Sequence, residues 1–139
     1  MKAYSIISLL LGIVNLPICL FFTIYGYIFP EALVGGTNLN KIGFIVGASA
    51  FGIMLLLLVL QQVILDETVV NLIYKLNIFE KAVIVILCIH VAYRFLFAEK
   101  VSWENDSSIT YSKVMTSFAM ANVINFAAIV TSINYLKLK

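Results

Sequence analysis

Four continuous apolar segments, each long enough to cross a lipid bilayer, constrain this chain more than any other feature. A membrane-spanning helix needs about 20 mainly apolar residues. Lipid offers the backbone no hydrogen bonds, so each segment must satisfy its own polar groups as a helix. The runs are also unbroken, unlike the alternating pattern of a membrane β-barrel. The sequence therefore predicts a single transmembrane domain, an all-α integral membrane bundle of four helices. Their expected positions are 3–29, 42–65, 78–97 and 109–136.

The composition opposes a water-soluble fold. Hydrophobic residues make up 63% of the chain and charged residues 12%, with a mean hydropathy of +1.06. Soluble domains are about 45–50% apolar and about 25% charged, and a domain of this size has too much surface to hide the excess. The surplus apolar side chains are therefore expected to face lipid. The net charge of +2 is too small to indicate a nucleic-acid partner.

The lysines favour one orientation in the membrane. With both termini in the cytoplasm, five lysines lie inside and three outside, which satisfies the positive-inside rule. The inner set is Lys2, Lys75, Lys81, Lys137 and Lys139, and the outer set is Lys41, Lys100 and Lys113. Abundant Ile, Asn, Phe, Tyr and Lys beside a single Arg suggests an AT-rich bacterial gene, so we expect the bacterial inner membrane. The connection 66–77 has apolar positions at helical spacing, which predicts a short interfacial helix or an extension of its neighbours.

Small residues in the second segment repeat at intervals of four. Gly43 and Gly47 form a G-x-x-x-G step, and Ala48 and Gly52 repeat that spacing one residue further along. Small residues on one helix face allow two backbones to approach closely, which is how helices associate in lipid. The pattern predicts either a helix-packing face inside the chain or an interface between copies of it.

The fourth segment carries a stripe of small and polar residues. Its members are Ser117, Ala121, Asn125, Ala128 and Ser132, with Asn122 beside it. Amide side chains in hydrocarbon need hydrogen-bonding partners, because an unpaired polar group there costs several kcal/mol. Two interpretations follow. The stripe bonds to neighbouring helices, or it lines a water-filled path along the axis of a homo-oligomer.

The third segment contains the one histidine and the one arginine of the sequence. His90 and Arg94 are four residues apart and therefore share a helix face. We expect Arg94 to extend towards the membrane interface near Glu99 and Glu104. His90 lies deeper, and an ionisable residue inside the membrane is a candidate functional residue. It is expected either to bond as a neutral imidazole to an asparagine or a backbone carbonyl, or to sense or conduct protons.

Asn15 and Pro17 occur together within the first segment. Proline lacks an N–H group and is expected to bend the helix there, while Asn15 could bond to another helix. The two cysteines, Cys19 and Cys88, have no metal-ligand or redox spacing. Both are expected to be small buried hydrophobic residues.

The sequence lacks the residue sets that most enzymes need. It has one histidine and no recognisable catalytic, phosphate-binding or metal-binding motif, so we expect no catalysis, cofactor or metal. The expected function is a self-associating membrane subunit that anchors or senses for a cytoplasmic partner protein, in a setting such as immunity or phage defence. Candidate partner contacts are Asp66, Glu67, Lys75, Lys137 and Lys139. The alternatives are a homo-oligomeric channel or transporter lined by the polar stripe, and a redox membrane subunit.

Overall fold

The computed structural model describes residues 2–34, 37–64, 69–97 and 110–136, and every regular element in these ranges is helical. This confirms the all-α prediction. The helices are α1 (Lys2–Ile28), a 3-10 helix (Pro30–Leu33), α2 (Asn38–Ile64), α3 (Val69–Tyr74), α4 (Ile78–Leu96) and α5 (Tyr111–Leu136). The short helix α3 lies in the connection where the sequence pattern favoured an interfacial helix.

Three of the four long helices, α1, α2 and α5, are long and apolar enough to cross a membrane. The fourth, α4, is shorter and carries Glu80, Lys81 and Arg94 near its two ends. Its 19 residues extend about 28 Å at the α-helical rise, close to the roughly 30 Å of a hydrocarbon core. The chain is therefore a helical membrane bundle in which three helices meet the requirements of a span, and the crossing by α4 stays a prediction.

Side-chain caps explain where three of these helices begin. Thr37 Oγ1 accepts a hydrogen bond from the Asn40 N–H (3.1 Å), and Thr110 Oγ1 accepts one from the Lys113 N–H (3.2 Å). Asn77 Oδ1 accepts the Glu80 N–H at 2.8 Å. Each cap satisfies a first-turn N–H group that has no partner within its own helix. The cap at Thr37 also explains why α2 begins four residues before the apolar run does.

Helix α5 is the central element of the bundle. It packs against α1, α2, α3 and α4, whereas α2 and α4 hardly touch each other. It runs antiparallel to α1 and α4 and parallel to α2. We call the end where α1 and α4 finish and α2 and α5 begin the Arg94 end, and the opposite end the Tyr4 end. At the Tyr4 end, the Tyr4 hydroxyl donates to the Leu57 carbonyl and ties α1 to α2.

The outer surface of the bundle is more apolar than its centre, the reverse of a soluble helical bundle. The least apolar of the three spans, α5, is the most buried, and its inner side chains include Val114, Met115 and Phe118. Large aliphatic and aromatic residues such as Ile24 and Ile45 are exposed on the outer faces of α1 and α2. Since lipid is as apolar as leucine, helices in a bilayer associate through close packing and polar contacts. That accounts for the small and polar residues at the centre.

Candidate functional site

A buried polar seam joins α1 and α5 along the middle of the bundle. Asn122 Nδ2 donates to Thr23 Oγ1 at 3.1 Å, and Thr23 Oγ1 donates to the Cys19 carbonyl at 2.7 Å. Asn125 Nδ2 lies 3.8 Å from Cys19 Sγ. These contacts give the amide nitrogens of Asn122 and Asn125 partners on α1 within the same chain. We call this set the α1–α5 seam. In the described part of the chain, Asn122 Oδ1, Asn125 Oδ1 and Ser132 Oγ are buried without a hydrogen-bond partner.

The predicted stripe on α5 does not face one direction. Ser117 faces Gly47 of α2, whereas Asn122 and Asn125 face α1. Each four-residue step exceeds the 3.6-residue helical turn by about 40°, so Asn125 lies about 80° around the helix from Ser117. Ala121, Asn122, Asn125, Ala128 and Ser132 are all buried inside the bundle. These residues could line a water-filled path between copies of the chain only if α5 left its own bundle.

The two small-residue pairs of α2, Gly43 with Gly47 and Ala48 with Gly52, have different environments. A Cβ at Gly43 would lie 3.3 Å from Val114, and one at Gly47 would lie 2.5 Å from Ser117 Oγ. This G-x-x-x-G face therefore packs against α5 within the chain. Gly52 has no such neighbour within 4 Å of a built Cβ and lies on the outer surface, and Ala48 is half-buried.

An aromatic and basic cluster closes the Arg94 end. The Tyr27 hydroxyl and His90 Nε2 are 2.6 Å apart, which links α1 to α4. The Arg94 guanidinium carbon lies 5.8 Å from the centre of the Tyr27 ring and 5.7 Å from that of Tyr111. The Tyr111 hydroxyl donates to the Gly26 carbonyl at 2.8 Å. We call Tyr27, His90, Arg94 and Tyr111 the Tyr27–Arg94 cluster.

The Arg94 side chain is directed into the bundle and is 1% exposed. The faces of two tyrosine rings carry negative partial charge and attract a guanidinium group placed over them. This arrangement brings a positive charge inside the bundle near one membrane surface. The residues expected to draw Arg94 outwards, Glu99 and Glu104, lie outside the described ranges. His90 shares its helix face and bonds to a tyrosine rather than to an asparagine.

A groove opens sideways between α2 and α4, with α5 as its floor. Its wider part has a volume of about 420 Å³ and its narrower part about 170 Å³. Phe51 and Met120 line both parts, so the two are adjacent. The groove exists because α2 and α4 pack on α5 and hardly at all on each other. We call it the lateral groove.

The wider part, towards the Arg94 end, is lined by Phe44, Ala48, Phe51, Arg94, Phe95, Ser112, Lys113, Thr116, Ser117 and Met120. The narrower part, nearer the middle of the helices, is lined by Phe51, Cys88, Val91, Met120, Val123 and Ile124. The polar and basic groups are thus confined to one end of the lateral groove.

The cysteine prediction holds for Cys19, which is buried, and is wrong for Cys88, which is exposed. Helix α4 packs mainly on α5 and is joined to α1 by the Tyr27–His90 contact, so part of its apolar surface remains open. Asn15 is half-buried, and Pro17 is exposed within a helix that continues unbroken from Lys2 to Ile28.

The expected partner contacts lie mostly outside the described residues: this holds for Asp66, Glu67, Lys137 and Lys139. Lys75, which follows α3, is described and is exposed.

The fold and these sites define an all-α integral membrane protein. Comparisons with protein-family models, with curated proteins and with solved structures found no match. Within the four described ranges, no three His, Cys, Asp or Glu side chains lie close enough together to hold a metal ion. The expected absence of cofactors and of catalysis stays a prediction.

Proposed function

We propose that this chain is a non-enzymatic membrane subunit that anchors or senses for a partner protein. The observation that supports this most is an exposed apolar surface at the Tyr4 end of the bundle, formed by α3 and the start of α4. Its members are Val70, Tyr74, Ile78 and Phe79, which are 74%, 80%, 85% and 73% exposed. We call it the α3 surface.

The α3 surface has the composition of a contact site for protein. Aromatic side chains are enriched at protein interfaces, and large exposed apolar patches mark sites of interaction with protein or membrane. Basic groups accompany the apolar residues, since Lys75 is exposed and Lys81 Nζ lies 5.0 Å from the centre of the Tyr74 ring. The Asn77 cap starts α4 immediately afterwards, which places α3 where the chain emerges from the bundle. A partner could reach Val70 and Tyr74, on α3, without entering the bilayer, whereas Ile78 and Phe79 begin α4 at the membrane boundary.

The proposed location is the bacterial cytoplasmic membrane, with both termini in the cytoplasm. That orientation follows from the distribution of lysines and puts the α3 surface on the cytoplasmic side. A soluble effector, such as one encoded by a neighbouring defence or immunity gene, would then have direct access to it.

Self-association, if it accompanies this function, would use the outer face of α2. Gly43 and Gly47 are already packed against α5. Gly52 and Ser49 are exposed on the outside of the same helix, so a second copy could approach them closely through lipid.

Site-directed photo-crosslinking in native membranes tests the proposal. A photoreactive amino acid replaces Tyr74, and a matched variant carries it at Ile45, which is exposed on the outer face of the first third of α2. We expect a discrete protein adduct from position 74 and lipid adducts from position 45. The adduct should be lost when Val70 and Phe79 are changed to serine while the protein level in the membrane is unchanged.

Two results of the crosslinking experiment would contradict the proposal. If position 74 yields lipid adducts alone, the α3 surface is embedded in the membrane interface and does not contact a partner. An adduct whose mass equals two copies of this chain would assign the surface to self-association and contradict the proposed role in binding a different protein.

A further inference from the structure

We propose that the contact between Tyr27 and His90 is a pH-sensitive link, which joins α4 to α1 at the Arg94 end and opens when His90 is protonated. We call this contact the Tyr27–His90 link. The inference concerns the conformation of the chain itself, at the end of the bundle opposite the α3 surface. It stands or falls independently of any partner protein.

The link joins two helices that otherwise pack little on each other. Helices α1 and α4 both pack on α5, whereas few of their own residues meet. In the described part of the chain, they are joined where Tyr27 meets two residues of α4. The Tyr27 hydroxyl lies 2.6 Å from His90 Nε2, and the Arg94 guanidinium carbon lies 5.8 Å from the centre of the Tyr27 ring. Loss of the hydrogen bond would therefore leave α4 joined to α1 by the ring contact.

The hydrogen bond depends on the protonation state of His90. A neutral imidazole has one nitrogen that accepts a hydrogen bond, whereas both nitrogens of an imidazolium are donors. In the closed link, His90 Nε2 accepts the proton of the Tyr27 hydroxyl. Protonation removes this acceptor and creates a positive charge four residues from Arg94, on the same face of α4. Like charges at this spacing repel each other, so the protonated ring moves away from Tyr27.

His90 is the group around the link that changes charge near neutral pH. Tyrosine, lysine and arginine side chains titrate at about pH 10 or above, and glutamate at about pH 4.3. Histidine titrates between about pH 5 and 8. Among the described residues, the other titratable or charged groups near the link are Tyr27 on α1, Arg94 on α4, Tyr111 and Lys113 on α5, which face Arg94, and the exposed Glu31 at the same end.

Protons have a short path to the link. His90 is half-buried and Tyr27 is 41% exposed. His90 lies six residues before the end of α4, which is about 9 Å of axial rise. The link is therefore closed at neutral pH and opens as the pH falls through the range in which histidine gains its proton. In the proposed orientation this end faces away from the cytoplasm, so the link responds to acid outside the cell.

Nuclear magnetic resonance tests the proposal on the unmodified chain, because the sequence contains a single histidine. The full-length protein is purified without a histidine tag, labelled with nitrogen-15 at histidine, and titrated in maltoside micelles from about pH 7.5 to about pH 5. We expect Nε2 to be an unprotonated acceptor at the higher pH and to carry a proton at the lower. The His90 and Tyr27 rings, with centroids 5.7 Å apart, should give a nuclear Overhauser effect between their protons at the higher pH and lose it at the lower.

Unfolding by dodecyl sulfate at the same two pH values provides a second readout. Tyr27→Phe should lower the unfolding midpoint at about pH 7.5 and leave it unchanged at about pH 5, where the link is already open. The control Tyr25→Phe, whose ring stacks within α1, should have no pH-dependent effect. In a chain carrying His90→Gln, Tyr27→Phe should lower the midpoint equally at both values, because a carboxamide oxygen accepts a hydrogen bond at any pH.

Three results would overturn the inference. A histidine that stays unprotonated at about pH 5 would remove the switch. A histidine that is protonated while the ring contact persists would mean that the hydrogen bond reverses its donor and does not open. An equal loss of midpoint for Tyr27→Phe at both pH values, with His90 unchanged, would give Tyr27 a structural role alone. The first two results come from the unmodified chain and do not depend on the folding of any variant.

Discussion

Replacing Gly47 with alanine tests the close contact between α2 and α5 that organises the bundle. A Cβ built at Gly47 lies 2.5 Å from Ser117 Oγ and 3.2 Å from the Phe118 ring. Both distances are shorter than ordinary van der Waals contact, so at least one neighbour must move. The matched control is Gly52→Ala on the outer face of the same helix, where a Cβ would have no neighbour within 4 Å.

The structure allows the cost to be estimated. Moving the Ser117 hydroxyl breaks its 2.7 Å hydrogen bond to the Val114 carbonyl, a loss of about 0.5–1.5 kcal/mol. Displacing the packed Phe118 ring costs further energy. The total cost of overpacking, including the lost hydrogen bond, is typically about 1–3 kcal/mol. Alanine recovers up to about 1 kcal/mol over glycine in a helix. We expect Gly47→Ala to lower the free energy of unfolding by about 1–2 kcal/mol and Gly52→Ala to leave it unchanged or raise it slightly.

The measurement is unfolding by sodium dodecyl sulfate in maltoside micelles, followed by circular dichroism. The double variant Gly47→Ala with Ser117→Ala removes the oxygen nearest the new methyl group. It should recover at least half of the loss, once the effect of Ser117→Ala alone is subtracted. The reasoning would be refuted if Gly47→Ala were as harmless as Gly52→Ala. It would also be refuted if removing Ser117 Oγ restored none of the stability.

Two further predictions concern α4. Tyr27→Phe removes the 2.6 Å contact to His90 and should destabilise the bundle by about 0.6–1.7 kcal/mol, the range for hydrogen bonds between membrane helices. The control in the same unfolding assay is Tyr25→Phe, because the Tyr25 ring stacks on its neighbours in α1. Equal effects of the two substitutions would contradict the hydrogen bond between Tyr27 and His90. A lipid-soluble diazirine, photolysed to a carbene that needs no thiolate, should label Cys88, which is exposed, and should spare Cys19, which is buried, until the protein unfolds. Peptide mass spectrometry reads the two sites separately. Labelling of Cys19 in the folded protein would disprove the packing of α1.

The helices could be predicted from the sequence because continuous apolar length is a strong local signal. The structure starts α1 one residue before the predicted segment and ends α5 at the predicted residue. The error at the start of α2 arose because Asn38 and Lys41 are polar, and polar residues at a capped helix start do not interrupt the helix. Apolar length does not encode where a capping side chain will begin the first turn.

The arrangement of the helices could not be predicted in the same way. The small residues on the buried face of α1 include Ser5, Ser8 and Gly12, and Gly12 lies against Ile129 of α5. Their three- and four-residue spacing is visible in the sequence and is typical of a packing face. A search for small-residue spacing in every segment would have indicated that α1 packs closely on a partner helix.

The candidate sites depend on contacts between distant parts of the chain. His90 and Arg94 were identified from their chemistry, but Tyr27 and Tyr111, which complete their cluster, are aromatic residues at helix ends. Such residues are common at membrane interfaces and carry no distinguishing local signal. The lateral groove is likewise a consequence of α2 and α4 failing to meet, which no single segment encodes.

The number of membrane crossings tests the central claim most directly, because it depends on α4, the shortest and most charged of the four long helices. Reporter fusions at the two ends of the chain, with alkaline phosphatase active outside the cytoplasm and green fluorescent protein fluorescent within it, give the side of each terminus. A bundle of four crossings places both ends on the same side, and the distribution of lysines places that side in the cytoplasm. Termini on opposite sides would mean that one of the long helices does not cross the membrane, and the bundle described around α5 would be contradicted.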